Sequence, residues 1–158
     1  FVRLANLSFS DWTGSNTTYD NYLLDARVYQ RVWKKHILAV QGMANFNYGN
    51  PPFNQMAMLG GPDVMRGYRQ GRYRDKKMMA FQAEYRSPFW HRFGIAVFGG
   101  YGAVGEDVDD FRVADMRASY GAGIRFLFSE AERLNMRVDF GYGDNGNSGV
   151  YFTFGEAF

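Results

Sequence analysis

Long, strict alternation of apolar and polar residues is the feature that most limits how this chain can fold. It is clearest in "ADMRASYGAGIRFLF", which begins at Ala114. One parity carries the apolar residues Met116, Ala118, Tyr120, Ala122, Ile124, Phe126 and Phe128, and the other carries Asp115, Arg117, Ser119, Gly121, Gly123 and Arg125. A period of two predicts a β-strand. This strand is longer than the usual strand of soluble proteins, which has about five or six residues.

The same alternation recurs along the chain and predicts about eight strands. The segments are "FVRLANLSF", "YDNYLLDARVYQRVW", "HILAVQGMANF", "MMAFQAEYR", "RFGIAVFGGYGAV", "ADMRASYGAGIRFLF", "LNMRVDFGYG" and "SGVYFTFGEAF". The first and third of these are the least regular. The last is predicted to place Val150, Phe152, Phe154 and Phe158 on one face. Each segment is near or above the roughly 9–11 residues that a transmembrane strand needs.

Composition narrows the function classes. Aromatic residues make up 18% of the chain, with 19 glycines and 4 prolines, which is typical of an all-β protein with many turns. The absence of cysteine excludes disulfides and thiolate metal sites. A net charge of +2 gives no reason to expect nucleic acid, despite a basic cluster at residues 66–77. No apolar run could form a membrane-spanning helix. The chain opens without a signal peptide, so we expect a mature protein or a fragment.

An antiparallel transmembrane barrel explains the pattern better than a soluble sandwich. The polar parity contains much glycine and charges of both signs, as in a water-filled lumen. Aromatic residues at strand ends and turns are expected to form interfacial girdles, and these are Trp12, Trp33, Phe89, Trp90 and Phe158. Turning Arg125 or Arg137 towards lipid would cost roughly 2–4 kcal/mol each. The charged parity is therefore expected to line the lumen.

The connections alternate between short and long. "VWKKH", "RSPFWHR" and "FSEAERL" are predicted to be periplasmic turns, whereas "DWTGSNTT", "GEDVDDFRV", "GDNGNSG" and a connection over about residues 49–77 are predicted to lie outside. A connection that long is uncommon and is usually functional or disordered. Because eight strands enclose an interior that their own side chains fill, it would not fit inside an eight-stranded barrel. We therefore expect half of a larger barrel, completed by upstream residues or a second chain.

The long connection carries a recognisable motif. "LGG" at residues 59–61 is followed by "MRGY" at residues 65–68, and downstream come "AEYRSPF", "YGAGIRF", "RVDFGYG" and "YFTFGEAF". In these stretches the chain resembles the BamA/TamA-like family of outer-membrane assembly barrels, also called the bacterial surface antigen family. The resemblance covers residues 50–158 well and the first fifty residues only by strand count. It implies the C-terminal half of a sixteen-stranded barrel.

The resemblance also implies that the loop folds into the lumen. Its motif residues are Gly60, Gly61, Arg66, Gly67 and Tyr68. Arg66 is expected to contact the inner wall, because a guanidinium presents five donors and stays charged. Candidate partners are Glu84, Asp139 and the ring of Phe98. The family often has a carboxylate where this chain has Gly100, so Glu84 is the favoured partner.

The last strand is expected to act as a terminal signal and as a lateral seam with the first strand, through Tyr151, Phe152, Phe154, Gly155 and Phe158. The resemblance implies a non-enzymatic protein of the bacterial outer membrane that assembles, inserts or translocates outer-membrane proteins. A structural or surface barrel, or the membrane anchor of an upstream enzymatic domain, is the alternative.

The expected partners are outer-membrane lipids and lipopolysaccharide, substrate outer-membrane proteins, and periplasmic accessory proteins or a second barrel half. No cofactor and no metal are expected. The acidic stretch at residues 106–110 lacks the spacing of a calcium loop. His36 and His91 lie in predicted turns beside tryptophans, which favours interfacial anchoring over catalysis.

Overall fold

Ten β-strands make up most of the regular structure in the part of the chain that is described. A computed structural model describes residues 1–10, 12, 14, 17–112, 115–129 and 134–158. The strands are β1 (Val2–Phe9), β2 (Tyr19–Trp33), β3 (His36–Gly49), β4 (Ala57–Leu59), β5 (Tyr73–Asp75), β6 (Lys77–Trp90), β7 (Phe93–Gly105), β8 (Arg117–Ser129), β9 (Leu134–Gly143) and β10 (Ser148–Phe154). Single 3-10 turns occur at Phe53–Gln55 and Val108–Asp110. No helix in the described part of the chain is long and apolar enough to cross a membrane.

Eight of the strands form one antiparallel sheet in the order β1-β2-β3-β6-β7-β8-β9-β10. Strands β4 and β5 form a separate ribbon, inserted between β3 and β6. The order follows the sequence because each strand returns directly beside its predecessor. Among the described residues β1 pairs only with β2, and β10 only with β9, so the sheet is open. The predicted all-β antiparallel fold is confirmed.

The two faces of the sheet have the reverse of the usual polarity. Apolar residues of one parity are exposed, among them Leu24, Val40, Phe81, Val97, Tyr120, Ile124, Phe140 and Phe152. Residues of the opposite parity are polar or charged and buried, among them Asp25, Gln41, Gln82, Glu84, Ser119, Arg125, Arg137 and Asp139. A soluble protein buries its apolar face instead. The alternation therefore predicted the two faces correctly. We call the buried polar face the inner face.

Two strands and one aromatic residue differ from the sequence-based predictions. β1 has 8 residues and β10 has 7, so both are shorter than predicted. Trp12, Trp33, Phe89 and Trp90 are exposed, but Phe158 is only 4% exposed. Placing Phe158 on the face of Phe152 and Phe154, within an aromatic girdle, was wrong.

The terminal segment, residues 155–158, explains this difference. Gly155 has a φ of 83°, a backbone conformation that glycine adopts without steric penalty. β10 therefore ends at Phe154 and the segment turns onto the inner face, where Phe158 packs with Ala39. The guanidinium of Arg86 lies 5.7 Å from the centre of the Phe158 ring.

Candidate functional site

The long connection, residues 50–76, folds over the inner face, and we call it the inner loop. Its β4–β5 ribbon pairs Ala57 with Asp75 and Leu59 with Tyr73. The buried loop residues Leu59, Met65 and Tyr68 pack against Met78 and Ala80 of β6. The sequence did not predict the ribbon, because strands of three residues are too short to show a period.

Arg66 is the buried charged residue of the inner loop, with 1% of its surface exposed. Its Nη1 donates to Asp139 Oδ2 at 2.7 Å, and its Nη2 donates to Glu84 Oε2 at 2.5 Å. The guanidinium carbon lies 3.5 Å from the centre of the Phe98 ring. The structure thus brings Arg66 against all three candidate partners at once. One guanidinium reaches two carboxylates because its donors form a fixed fork.

Three further arginines share the same two carboxylates. Glu84 also accepts from Arg86 Nε at 2.7 Å and from Arg125 Nη2 at 3.3 Å. Asp139 also accepts from Arg125 Nη1 at 2.5 Å and from Arg137 Nη1 at 3.0 Å. Neither carboxylate is exposed. Buried charges are tolerated only when paired and hydrogen-bonded, so removal of one partner is costly.

Arg137 and Gln82 hold the main chain of the loop just before Arg66. Arg137 donates to the Pro62 carbonyl oxygen at 3.0 Å and to Asp63 Oδ1 at 2.6 Å. Gln82 donates to the Asp63 carbonyl oxygen at 2.7 Å and accepts from the Met65 amide at 3.2 Å. Alternation in "MMAFQAEYR" and "LNMRVDFGYG" places Gln82 and Arg137 on the polar parity, but it does not link them to the loop. Parity was the only available signal.

Tyrosines fasten the loop just after Arg66. The Tyr151 hydroxyl accepts from the Gly67 amide at 2.9 Å and donates to the Tyr68 carbonyl oxygen at 3.0 Å. The Tyr68 hydroxyl donates to the Ala118 carbonyl oxygen at 2.5 Å and accepts from the Asp144 amide at 2.8 Å. Burial raises the pKa of Tyr68 above its ordinary value, so the phenol stays a neutral donor.

Glycines let the loop approach the wall closely. Gly67 has a φ of 113°, and a Cβ there would lie 2.6 Å from the carbonyl carbon of Tyr142. On β9, a Cβ at Gly141 would lie 2.5 Å from the Gly67 nitrogen. Gly60 and Gly61 have φ values of 108° and 127°, which favour glycine. The motif glycines are therefore required by the conformation of the loop main chain and by its close approach to β9.

Packing around Gly100 accounts for a glycine where the resemblance leads one to expect a carboxylate. A Cβ there would lie 2.7 Å from the Phe81 carbonyl oxygen, 2.9 Å from Gln82 Cβ and 3.2 Å from Met65 Sδ. The space above Gly100 is therefore already filled. Arg66 instead takes its two carboxylates from β6 and β9.

The chain thus forms an open sheet with an apolar outer face and a loop bound to its charged inner face. A family model described as "Omp85 superfamily domain" matches residues 1–158. The chain belongs to the Omp85 superfamily. The resemblance to BamA/TamA-like barrels, drawn from the motifs, is consistent with this membership. Omp85 superfamily members are outer-membrane proteins, and they are non-enzymatic assembly or transport barrels. A search of curated proteins finds no match.

The predicted seam residues of this Omp85 chain occupy three different environments. Phe152 and Phe154 are exposed on the outer face. Tyr151 points to the inner face and binds the loop, as described above. Gly155 starts the terminal segment, and Phe158 is buried at its end. Only the first pair faces outward beside the unpaired edge of β10.

Other polar clusters of the Omp85 chain have structural partners. Glu106 accepts from Lys76 at 2.9 Å, and Asp107 accepts from Lys77 at 2.8 Å. His36 Nδ1 is 2.7 Å from the Tyr85 hydroxyl and its ring stacks on Trp33. The described residues contain no cluster of three or more His, Asp or Glu side chains that could hold a metal ion.

Proposed function

We propose that this chain is part of a bacterial outer-membrane barrel that inserts or translocates other outer-membrane proteins without catalysing a reaction. The observation that carries the proposal is the burial of Arg66 between Glu84 and Asp139 on the inner face of a sheet whose outer face is apolar. A loop fixed in this way braces the wall from inside. Membership of the Omp85 superfamily supports an assembly or translocation role for the chain.

The mechanism that we propose combines a stiff wall with a free edge. The inner loop bonds to β6 through Glu84, to β8 through the Ala118 carbonyl, to β9 through Asp139 and to β10 through Tyr151. Arg66 also lies against the Phe98 ring of β7, so the loop contacts each of the last five strands and holds them as a unit. The outer edge of β10 then serves as a lateral seam, where an incoming strand adds by main-chain hydrogen bonding.

The proposed partners follow from the surfaces. The apolar outer face contacts membrane lipid, including lipopolysaccharide. The edges of β1 and β10 need strands to cover them, because unpaired edges promote aggregation. A second barrel half, either upstream residues or another chain, would close the barrel. Substrate outer-membrane proteins and periplasmic accessory proteins complete the set that we propose.

Depletion of the full-length protein, followed by quantitative outer-membrane proteomics, tests the proposed function. We expect many unrelated barrel proteins to be lost together. Complementation with the wild type or with Arg69→Gln, an exposed loop position, should restore them. Complementation with Arg66→Gln should not. Loss of no other barrel protein would favour a structural barrel or a membrane anchor instead.

Stability of the barrel provides a separate test of the Arg66 role. Arg66→Gln leaves Glu84 and Asp139 short of a buried partner, and breaking such a pair costs roughly 3–5 kcal/mol. We expect a lower urea midpoint in lipid vesicles and faster proteolysis of the inner loop. Arg66→Lys retains the charge but cannot reach two carboxylates with a planar fork of donors. Its urea midpoint should therefore lie between those of the wild type and Arg66→Gln. An unchanged midpoint for Arg66→Gln would contradict the fastening role.

A further inference from the structure

The charges around Arg66 balance only when the terminal segment is included. Four guanidiniums meet in this network, those of Arg66, Arg86, Arg125 and Arg137. Among the described residues, the strands supply two carboxylates to the network, Glu84 and Asp139. Two more come from outside the strands: Asp63 of the inner loop binds Arg137, and Glu156 of the terminal segment binds Arg125.

Glu156 is held by three side chains. Its Oε2 accepts from Arg125 Nε at 3.1 Å and lies 3.5 Å from Arg86 Nε. Its Oε1 accepts from Asn135 at 2.6 Å. Arg86 also donates through Nη2 to the Phe158 carbonyl oxygen at 2.8 Å. The terminal segment is thus bound to two of the three arginines that bind Glu84, namely Arg86 and Arg125.

We propose that Glu156 is a positioning residue of the loop site, acting through Arg125 and Arg86. Arg125 uses Nη1 for Asp139, Nη2 for Glu84 and Nε for Glu156, so its orientation depends on all three carboxylates. Without Glu156, Arg125 binds more strongly to Glu84 and Asp139, and Arg86 binds more strongly to Glu84, so both compete with Arg66 for its carboxylates. The inner loop is then held less tightly.

This inference rests on the proposed fastening role of Arg66 and extends it. It means that the terminal segment and the inner loop are coupled energetically, although 90 positions separate residues 66 and 156 in sequence. Such coupling is reciprocal, so release of the loop would also weaken the hold on the terminal segment. The end of the last strand would then respond to the state of the lumen.

Labelling of a cysteine beneath the loop tests the inference. Ser119 is 4% exposed, its hydroxyl lies 3.7 Å from Met65 Sδ, and the chain contains no cysteine. Ser119→Cys, as the sole cysteine of the full-length protein, reacts with a water-soluble maleimide only when the loop lifts. Adding Glu156→Gln should raise the labelling rate about tenfold, as expected for loss of a charged hydrogen bond. Glu156→Asp should restore part of the protection.

Two comparisons make the test decisive. Asp109→Asn, an exposed acidic position, carries the same charge change and should leave the rate unchanged. In an Arg66→Gln background the loop is already loose, so adding Glu156→Gln should raise the labelling rate of Ser119→Cys very little. Equal rates for Glu156→Gln and Asp109→Asn, or a full tenfold increase on top of Arg66→Gln, would overturn the inference. If Arg66→Gln alone fails to raise the rate, the fastening role itself is wrong and the inference falls with it.

Discussion

A single guanidinium at Arg66 joins two strands that lie far apart in sequence. Its partners were anticipated because arginine, glutamate and aspartate of the right parity are visible in the sequence. The sharing of those carboxylates with Arg86, Arg125 and Arg137 was not anticipated. Alternation assigns a side chain to a face but says nothing about which neighbours it meets, since register across strands is a tertiary property.

Tyr151 is a second residue whose face, but not its contacts, can be predicted from alternation. Its place in the last strand suggested a seam, whereas the structure gives its hydroxyl to the main chain of the loop. The even spacing of Val150, Phe152 and Phe154 already placed Tyr151 on the opposite parity. Gly149 leaves room for its phenol, because a Cβ there would lie 2.7 Å from the Tyr151 hydroxyl oxygen.

Tyr151→Phe should loosen the inner loop. It removes the hydroxyl that pairs the buried Gly67 amide and the Tyr68 carbonyl, and leaving such groups unpaired costs roughly 1–3 kcal/mol. We expect faster maleimide labelling of Ser119→Cys in this background. Tyr120→Phe, an exposed outer-face position, is the control and should have no effect. Similar labelling rates for the two variants would mean that the Tyr151 hydroxyl does not hold the loop.

At the scale of elements, what the sequence predicts depends on length. Strands of 13 to 15 residues, such as β2, β6 and β8, carry enough alternation to be found directly. The β4–β5 ribbon and the terminal segment are too short to show a period. Their conformation is set by packing against the inner face and by the backbone of Gly155, which only the folded chain specifies.

Gly141→Ala should displace the inner loop as a whole. The added methyl would lie 2.5 Å from the Gly67 nitrogen and 2.6 Å from the Arg66 carbonyl carbon, and main-chain atoms cannot move aside cheaply. We expect a destabilisation of roughly 1–3 kcal/mol and increased proteolysis of the loop. Gly99→Ala on the outer face meets nothing nearer than 3.5 Å and is the matched control. Equal protease resistance in both variants would mean that the loop does not need this close approach.

For the whole molecule, the reversed polarity of the two faces is the dominant property. Charges and amides are buried on the inner face while aromatic and branched side chains are exposed on the outer face. Lipid is the solvent that suits such a surface. The sequence predicted this arrangement because alternation and charge together determine which parity can face the bilayer. The open sheet agrees with the half-barrel expected from the length of the inner loop, which eight closed strands could not hold.

Ile124→Arg should be costly in a bilayer and mild in water. Ile124 is 52% exposed on the outer face near the middle of β8. A lipid-facing arginine at the midplane costs roughly 2–4 kcal/mol, whereas most exposed substitutions in water stay within about 0.5 kcal/mol. Urea unfolding of the full-length protein in vesicles should show the loss. Val108→Arg, exposed in the connection between β7 and β8, should unfold like the wild type. A normal midpoint for Ile124→Arg would argue against lipid exposure of this face.

In the proposed seam mechanism, the shortness of β10 limits how long an added strand remains at its edge. Seven residues offer a neighbouring strand roughly half the main-chain hydrogen bonds that the 15 residues of β2 could offer. Each net bond contributes only about 0.5–1.5 kcal/mol, and dissociation slows exponentially as such bonds accumulate. A strand seated here would therefore dissociate many times faster than one joined to a full-length neighbour. In this proposed mechanism, the early turn at Gly155 favours release of an added strand as well as its capture.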